Sequence, residues 1–215
     1  QEALSEIQKP AAEQNTDKIK LLVANAISQA RIATDLGPNQ VSTWETLGMV
    51  YREIRTVAAG AVEWGVKSFE KAITLEPSNP VAYTELGKLY TLANNPEKAR
   101  ELFGLALEKK PDYIDALIQD ALLLEREGDL AGVIKKMEGL TNSYPYNVEI
   151  SFQMGRLYFN NNQISLAIEQ FKKAILLSPN HSNAHYSLGV AYASRGETRS
   201  AIEEFEKVLE LNPGN

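Results

Sequence analysis

The two histidines of the chain, His181 and His185, are the residues whose spacing could bind a metal ion. Side chains four positions apart share one face of a helix, and two imidazoles on one face can bind zinc. The segment HSNAH has no glutamate between the histidines, and no third ligand is evident in the sequence. We therefore interpret His185 as a packing residue and His181 as part of a turn, and we predict no metal site.

Other patterns of catalytic residues are missing too. The sequence has no Cys, which excludes disulfides, thiolate zinc sites and a cysteine nucleophile. A serine triad would need one of the two histidines, and no glycine-rich phosphate loop of the G-x-x-x-x-G-K-[ST] or G-x-G-x-x-G type occurs. We expect no catalytic residue and no cofactor, and we do not expect an enzyme.

The charge and hydropathy of the chain limit the class of partner. Lys and Arg number 22 against 28 Asp and Glu, so the net charge of the 215 residues is −6. An acidic balance disfavours nucleic acid as a partner, because sequence-independent binding needs a basic face. No apolar run is long enough to cross a bilayer, so we expect no direct membrane insertion by this segment. The compartment stays open: cytoplasmic, or the soluble part of a membrane-anchored envelope protein.

An internal repeat organises most of the chain. The strings LGMVY, LGKLY, MGRLY and LGVAY share one pattern, and a second element ending in proline follows. That proline recurs at a constant interval, at Pro77, Pro111, Pro145, Pro179 and Pro213. The constant interval predicts tandem structural units. The predicted units are 41–79, 80–113, 114–147, 148–181 and 182–215, and the first has five extra residues between Tyr51 and Gly65.

Within a unit the apolar spacing is helical. Tyr83, Leu86 and Tyr90 follow the i, i+3 and i+7 pattern of a buried helix face, and a second such face precedes each proline. Two helices of about 14 residues fit a unit of about 34 residues. Turn residues separate the helices and proline ends the second one, so the predicted fold class is all-α.

The repeat resembles the tetratricopeptide repeat (TPR) family, whose unit has the pattern W-x2-L-G-x2-Y, then A-x3-F, then proline. The first unit carries Trp44, Leu47, Gly48 and Tyr51 in this pattern, and the third unit departs from it most. The resemblance implies a right-handed α-solenoid of antiparallel helix pairs. We interpret the signature residues as scaffold. The glycines Gly48, Gly87, Gly155 and Gly189 are expected to remove a Cβ where the two helices of a unit approach closely.

Residues 1–40 contain no complete unit and are predicted to be a helical, partial repeat. Asp17 is the predicted N-cap of one helix, and Gly37-Pro38 its stop signal. Gln1–Lys9 is a further candidate helix, ended by Pro10. Both ends of the sequence look like cuts in a longer protein.

The resemblance also implies a concave groove, lined by the first helices of the units, that receives a peptide. The groove positions reproduce neither the basic clamp that binds chaperone C-terminal carboxylates nor the asparagine ladder of glycosyltransferase repeats. The most attractive groove residues are apolar, aromatic or basic, which are types that anchor interfaces. They are Arg52, Lys88, Ile118, Leu122, Phe152, Arg156, Phe159 and Tyr186. Two alternatives stay open: these residues pack against neighbouring helices, or the insertion Ile54–Trp64 is the contact point.

Two functional hypotheses follow from this sequence. The first is a non-catalytic protein–protein interaction scaffold that binds a peptide segment of a partner in the groove, as a monomer or as a weak dimer through its terminal repeats. The second is a soluble assembly arm from a larger bacterial membrane or envelope protein or glycan-handling enzyme. RNA binding is a third and disfavoured possibility, because the chain is acidic.

Overall fold

The computed structural model describes residues 15–213, and over this range every regular element is an α-helix. The predicted all-α class is therefore confirmed. The candidate helix over Gln1–Lys9 lies outside the described residues. The helices are α1 (Thr16–Leu36), α2 (Val41–Glu53), α3 (Ala61–Leu75), α4 (Pro80–Leu92), α5 (Pro96–Lys109), α6 (Ile114–Arg126), α7 (Leu130–Ser143), α8 (Val148–Asn160), α9 (Ile164–Leu177), α10 (Ser182–Ser194) and α11 (Thr198–Leu211).

The helix bounds recur with the period of the sequence. The helices α4, α6, α8 and α10 begin at Pro80, Ile114, Val148 and Ser182, so their starts are spaced by the same interval as the prolines. The turn inside each of these pairs contains one residue with positive φ, which only Gly and a few polar residues adopt readily. These residues recur at that interval too: Asn94, Gly128, Asn162 and Gly196. Short turns of this kind make the two helices of a pair antiparallel.

The chain divides into two compact units. The first ends at Asp120 and the second begins at Ala121, so the division falls inside α6. The core of the first unit includes Phe69 and Leu89, which are fully buried. The core of the second includes Phe171 and Leu188, each 1% exposed.

A glycine of the first helix faces a phenylalanine of the second helix in four of the pairs. At Gly155 a Cβ would lie 2.6 Å from the ring of Phe171, and at Gly87 it would lie 2.5 Å from the ring of Phe103. Gly48 and Gly189 face phenylalanine rings in the same way. The predicted close approach at these glycines is confirmed, and it explains why larger residues are absent there.

The first described helix is capped by a different residue from the one predicted. Asn15 is the N-cap of α1, and its side chain accepts a hydrogen bond of 2.9 Å from the backbone N–H of Lys18. The prediction of Asp17 as the cap is wrong, because the helix begins at Thr16 and places Asp17 in its first turn. There the carboxylate still lies at the positive end of the helix dipole. The helix ends at Leu36, directly before the Gly37-Pro38 stop signal.

The turn between α2 and α3 comprises residues 54–60, seven residues in place of the three in the later pairs, and so contains most of the five extra residues. Ile54 and Ala61 are 3% and 2% exposed, so both ends of this turn are anchored in the core. Gly60 provides the positive φ that the entry to α3 requires. Trp64 is 53% exposed and stacks on Tyr51, with 6.4 Å between the ring centroids. The insertion therefore presents one aromatic ring at the surface.

Candidate functional site

In the compact unit that ends at Asp120, the two predicted cationic groove residues are paired with carboxylates of the same chain. Arg52 forms ion pairs with Glu85 and with Glu53, and Lys88 Nζ lies 2.8 Å from Glu85 and 2.6 Å from Asp115. Burial lowers the pKa of Lys88, but Glu85 and Asp115 raise it more, so the pKa lies above its ordinary value. The first helices of three successive pairs, α2, α4 and α6, therefore carry a row of paired charges.

Ile118, which we predicted to line the groove, is 2% exposed. Its side chain belongs to the core and offers no surface to a partner. Thr84, at the same place in the preceding repeat, is fully buried as well, so this place in the repeat is a packing position there. Leu122 is half-buried.

In the compact unit that begins at Ala121, Arg156 forms a bidentate ion pair with Glu125. The distances are 2.7 Å from Nη1 to Oε1 and 2.6 Å from Nη2 to Oε2, while Nε donates to Gln153 at 2.8 Å. Asn160 donates to Glu125 at 3.2 Å. Hydrogen bonds from Arg156 hold the pKa of Glu125 below its ordinary value, against the opposing effect of burial. The guanidinium is thereby a rigid and neutralised part of the surface.

A pocket of about 120 Å³ lies between the first helices of the last two pairs, α8 and α10. It brings together three predicted groove residues, Arg156, Phe159 and Tyr186. The rest of its wall consists of Phe171, Ser187 and Val190. Phe171 is 1% exposed and Tyr186 is 56% exposed, so a buried ring and an exposed ring both contribute to the wall. The arrangement can accept an apolar side chain.

Phe152 has a different environment from the other aromatic groove residues. Its ring lies 6.1 Å from the ring of Phe171 and 5.0 Å from the imidazole of His181, measured between centroids. It is half-buried and does not line the pocket. The alternative that it packs against neighbouring side chains describes this residue better.

Both histidines have structural partners. In His181, Nδ1 accepts a hydrogen bond of 3.1 Å from the backbone N–H of Ala184, which caps α10. The ring nitrogens of His185 lie 2.6 Å from Glu204 Oε2 and 2.9 Å from the carbonyl oxygen of Pro179. Within residues 15–213, no group of three or more His, Cys, Asp or Glu side chains could hold a metal ion. Nor does any helix described in this range have the length and apolar character needed to cross a bilayer.

Comparison with known families identifies the class. Tetratricopeptide repeat models match residues 57–122 and 152–215. The chain belongs to the tetratricopeptide repeat family. Proteins of this family are generally non-catalytic scaffolds that bind protein partners.

One curated relative is distantly similar to the chain. The chain is 24% identical over 187 residues to the BBSome complex member BBS4 homolog of Drosophila melanogaster, and the match covers 86% of this chain and 36% of that protein. The chain thus spans about a third of the curated relative.

Solved structures with a similar fold include those of YrrB and IFIT1. YrrB, described as a TPR protein with an unusual peptide-binding site, has a TM-score of 0.51 at 20% identity over 88% of this chain and 95% of its own. A monomeric mutant of IFIT1 with m7Gppp-AAAA has a TM-score of 0.70 at 16% identity over 89% and 47%. At these identities the likeness shows the fold alone.

Proposed function

We propose that the chain is a non-catalytic scaffold that binds a peptide segment of a partner protein along its first helices. The pocket between α8 and α10 is the place where that peptide inserts an apolar side chain. The observation that carries the proposal is that Arg156, Phe159 and Tyr186 line one pocket. Aromatic residues and Arg are enriched at the anchors of protein interfaces.

The electrostatics of the pocket support a side chain without charge. Glu125 neutralises Arg156, and the remaining wall comes from aromatic and aliphatic residues and from Ser187. A carboxylate entering the pocket would compete with Glu125 for a guanidinium that is already hydrogen-bonded on both prongs. An aliphatic side chain would bury apolar surface without disturbing this pair.

The experiment selects peptides from a random library displayed on phage against the 215-residue chain. The selected peptides are then measured against Val190→Asp and Tyr186→Ala, and the matched control is Tyr146→Ala, because Tyr146 is 84% exposed and lies outside the pocket. We expect Val190→Asp and Tyr186→Ala to weaken binding at least about tenfold, the loss typical of a central interface residue. Tyr146→Ala should bind as the unchanged chain does. Peptides that bind both pocket variants with unchanged affinity would contradict the proposal.

An assembly arm of a larger protein is the second candidate. It is supported by the curated relative that is named as a member of the BBSome complex. The match covers 36% of the length of that relative. Sequencing of the full reading frame tests it. A flanking membrane segment or catalytic domain would support the bacterial envelope or glycan-handling form of the hypothesis, and a frame without either would exclude that form.

A further inference from the structure

The turn between α2 and α3 and the first turn of α3 present exposed apolar side chains inside the chain. Trp64, in the first turn of α3, is 53% exposed, and Val57, within the turn between the helices, is 44% exposed. A Cβ on Gly60 would lie 3.9 Å from Cδ1 of Trp64, so the indole ring lies against the end of the turn. None of these residues lines the pocket proposed for peptide binding.

The packing of a helix pair does not require a tryptophan at this place. Trp64 stacks on Tyr51, which is 7% exposed. Tyr192, at the same place as Tyr51 in the last pair, is 8% exposed, and the side chains over its ring are those of Lys172 and Arg195. Cationic side chains thus bury the tyrosine as well as an indole does. The later pairs carry a mixture of residues at the place of Trp64, namely Lys98, Gly132, Leu166 and Ser200.

The indole ring of Trp64 is held in one orientation by its neighbours. Lys67 Nζ lies 4.7 Å from the ring centroid, and the ring of Tyr51 stacks on it with 6.4 Å between centroids. An exposed ring that is fixed before binding loses little conformational entropy when a partner covers it. The indole N–H of Trp64 makes no hydrogen bond within the described residues, whereas that of Trp44 donates to the carbonyl of Pro38 at 2.9 Å. The Trp64 N–H is therefore available to a partner.

Two cations of this region have no carboxylate partner in the part of the chain that the structure describes. Arg55 donates from Nη1 to the backbone carbonyl of Arg52 at 3.0 Å, which orients its guanidinium. Lys67 contacts the Trp64 ring and makes no ion pair. Glu63 is the carboxylate of this stretch, and it lies in the first turn of α3, where the helix dipole favours a negative charge. Residues 54–67 thus carry a net charge of +1 in a chain whose net charge is −6.

We infer that Arg55, Val57, Trp64 and Lys67 form a second docking surface, whose occupant is an acidic segment of a partner protein. Carboxylates of the segment pair with Arg55 and Lys67, and an apolar side chain covers Val57 and the exposed part of Trp64. The polar groups of Arg55, Trp64 and Lys67 are donors only. A segment rich in carboxylate oxygens supplies the acceptors that these groups lack, whereas a basic segment would bury them without partners.

The probe is a library of random peptides displayed on phage. It is selected on the 215-residue chain with Val190→Asp, which blocks the peptide pocket, and peptides that still bind when Trp64→Ala is added are removed. We expect the remaining peptides to be enriched in Asp and Glu beside an apolar residue. Leu166→Ala is the control, because Leu166 is 40% exposed at the place of Trp64 in the fourth pair, and it should not affect these peptides. Circular dichroism checks that Trp64→Ala is folded.

Two variants at one exposed place test the sign of the partner's charge without changing the stacked indole. Val57→Asp and Val57→Lys both remove an apolar side chain, but only the aspartate repels an acidic peptide. We expect the selected peptides, measured by fluorescence anisotropy, to bind Val57→Lys about threefold to tenfold more tightly than Val57→Asp.

Removal of a single cation tests the ion pair directly. Arg55→Gln should weaken binding of the selected peptides about twofold to fivefold, as the loss of a partly exposed ion pair allows. Arg199→Gln is the matched control, because it removes the same charge from a side chain that is 94% exposed on α11, and it should leave the affinity unchanged.

The inference is overturned by an empty pool of peptides, by a pool without an excess of Asp and Glu, or by equal binding to the two Val57 variants. A single-stranded oligonucleotide that binds the chain and is lost in Trp64→Ala would make nucleic acid the occupant and would also overturn it. These outcomes are independent of the proposed function, because every peptide here is selected with the pocket blocked by Val190→Asp.

Discussion

The ring nitrogen Nε2 of His185 lies 2.9 Å from the carbonyl oxygen of Pro179, six residues earlier in the chain. Trp44 and Tyr83 donate to the carbonyl of the proline six residues before them in the same way, at 2.9 and 3.2 Å. Three different side chains at one place in the repeat thus close the turn that precedes a first helix. This relationship accounts for His185 without any metal.

Replacing His185 tests this contact. His185→Leu leaves the Pro179 carbonyl without its partner, and we expect the free energy of unfolding to fall by about 1–2 kcal/mol. His185→Tyr restores the donor that Tyr83 supplies in an earlier repeat and should recover at least half of the loss. Urea denaturation followed by circular dichroism measures both variants. Equal losses in the two variants would show that the hydrogen bond to Pro179 contributes nothing.

The close approach of Gly155 to Phe171 predicts a large effect of a single methyl group. In Gly155→Ala, the new Cβ would lie 2.6 Å from the Phe171 ring, and we expect a loss of about 1–3 kcal/mol through overpacking. Gly139→Ala is the control, because that glycine lies inside α7 and its added Cβ would meet nothing within 4 Å beyond its chain neighbours and the backbone of its own helix. This control should gain about 0.5–1 kcal/mol from helix propensity. Thermal denaturation of the two variants distinguishes packing from propensity, and the same sign for both would contradict the explanation.

The pair of Glu125 and Arg156 should make stability depend on acidic pH. The pKa of Glu125 is lowered in the folded state, so its contribution is complete above the ordinary value of 4.5 and is lost as pH falls through the lowered value. Glu125→Gln should therefore destabilise the chain at pH 7 and make less difference at pH 3. Urea midpoints at the two pH values measure the change.

The control for this pH dependence is Glu210→Gln, which disrupts a pair with Lys207 in which both side chains are largely exposed. That pair is screened by solvent, so the urea midpoint should move little at either pH. A difference for Glu125→Gln that is the same at pH 7 and pH 3 would refute the role of the carboxylate charge.

The row of paired charges in the first unit is the basis of the fourth prediction. Glu85 is 6% exposed and holds both Arg52 and Lys88. Glu85→Ala leaves the two cations partly buried beside each other, and we expect a loss of about 2–3 kcal/mol. Glu101→Ala removes the partner of Lys98 in a pair whose side chains are 42% and 56% exposed, and should produce no measurable change in the urea midpoint. Similar losses in both variants would contradict the importance of burial.

The sequence alone predicted the helices better than the site. The regularly spaced prolines and the turn residues with positive φ mark the element boundaries locally, because both act through the backbone of their own residue. The exposed fraction of a side chain, in contrast to a helix boundary, does not follow from its place in the repeat. Ile118 and Tyr186 occupy the same place, yet they are 2% and 56% exposed. The difference depends on what packs beside each helix, which the period does not encode.

Ion pairs between successive repeats could not be predicted from the sequence either. Arg156 and Glu125, like Arg52 and Glu85, are separated by nearly a whole repeat, so neither pair has the spacing of three or four that reveals neighbours on one helix. These contacts decide the character of the candidate site, because they neutralise cations that the sequence presented as available to a partner.

The glycine–phenylalanine contacts have a consequence for how the chain folds. Gly155 and Phe171 are joined by one short hairpin, whereas the hairpin between Gly48 and Phe69 contains the insertion and is five residues longer. The entropy of closing a flexible loop rises only with the logarithm of its length, so the longer hairpin costs only about 0.2 kcal/mol more to close. Contacts this local favour rapid folding. The insertion should therefore leave the rate of forming the first hairpin almost unchanged, so that its length can vary in evolution with little effect on assembly of the helix pair.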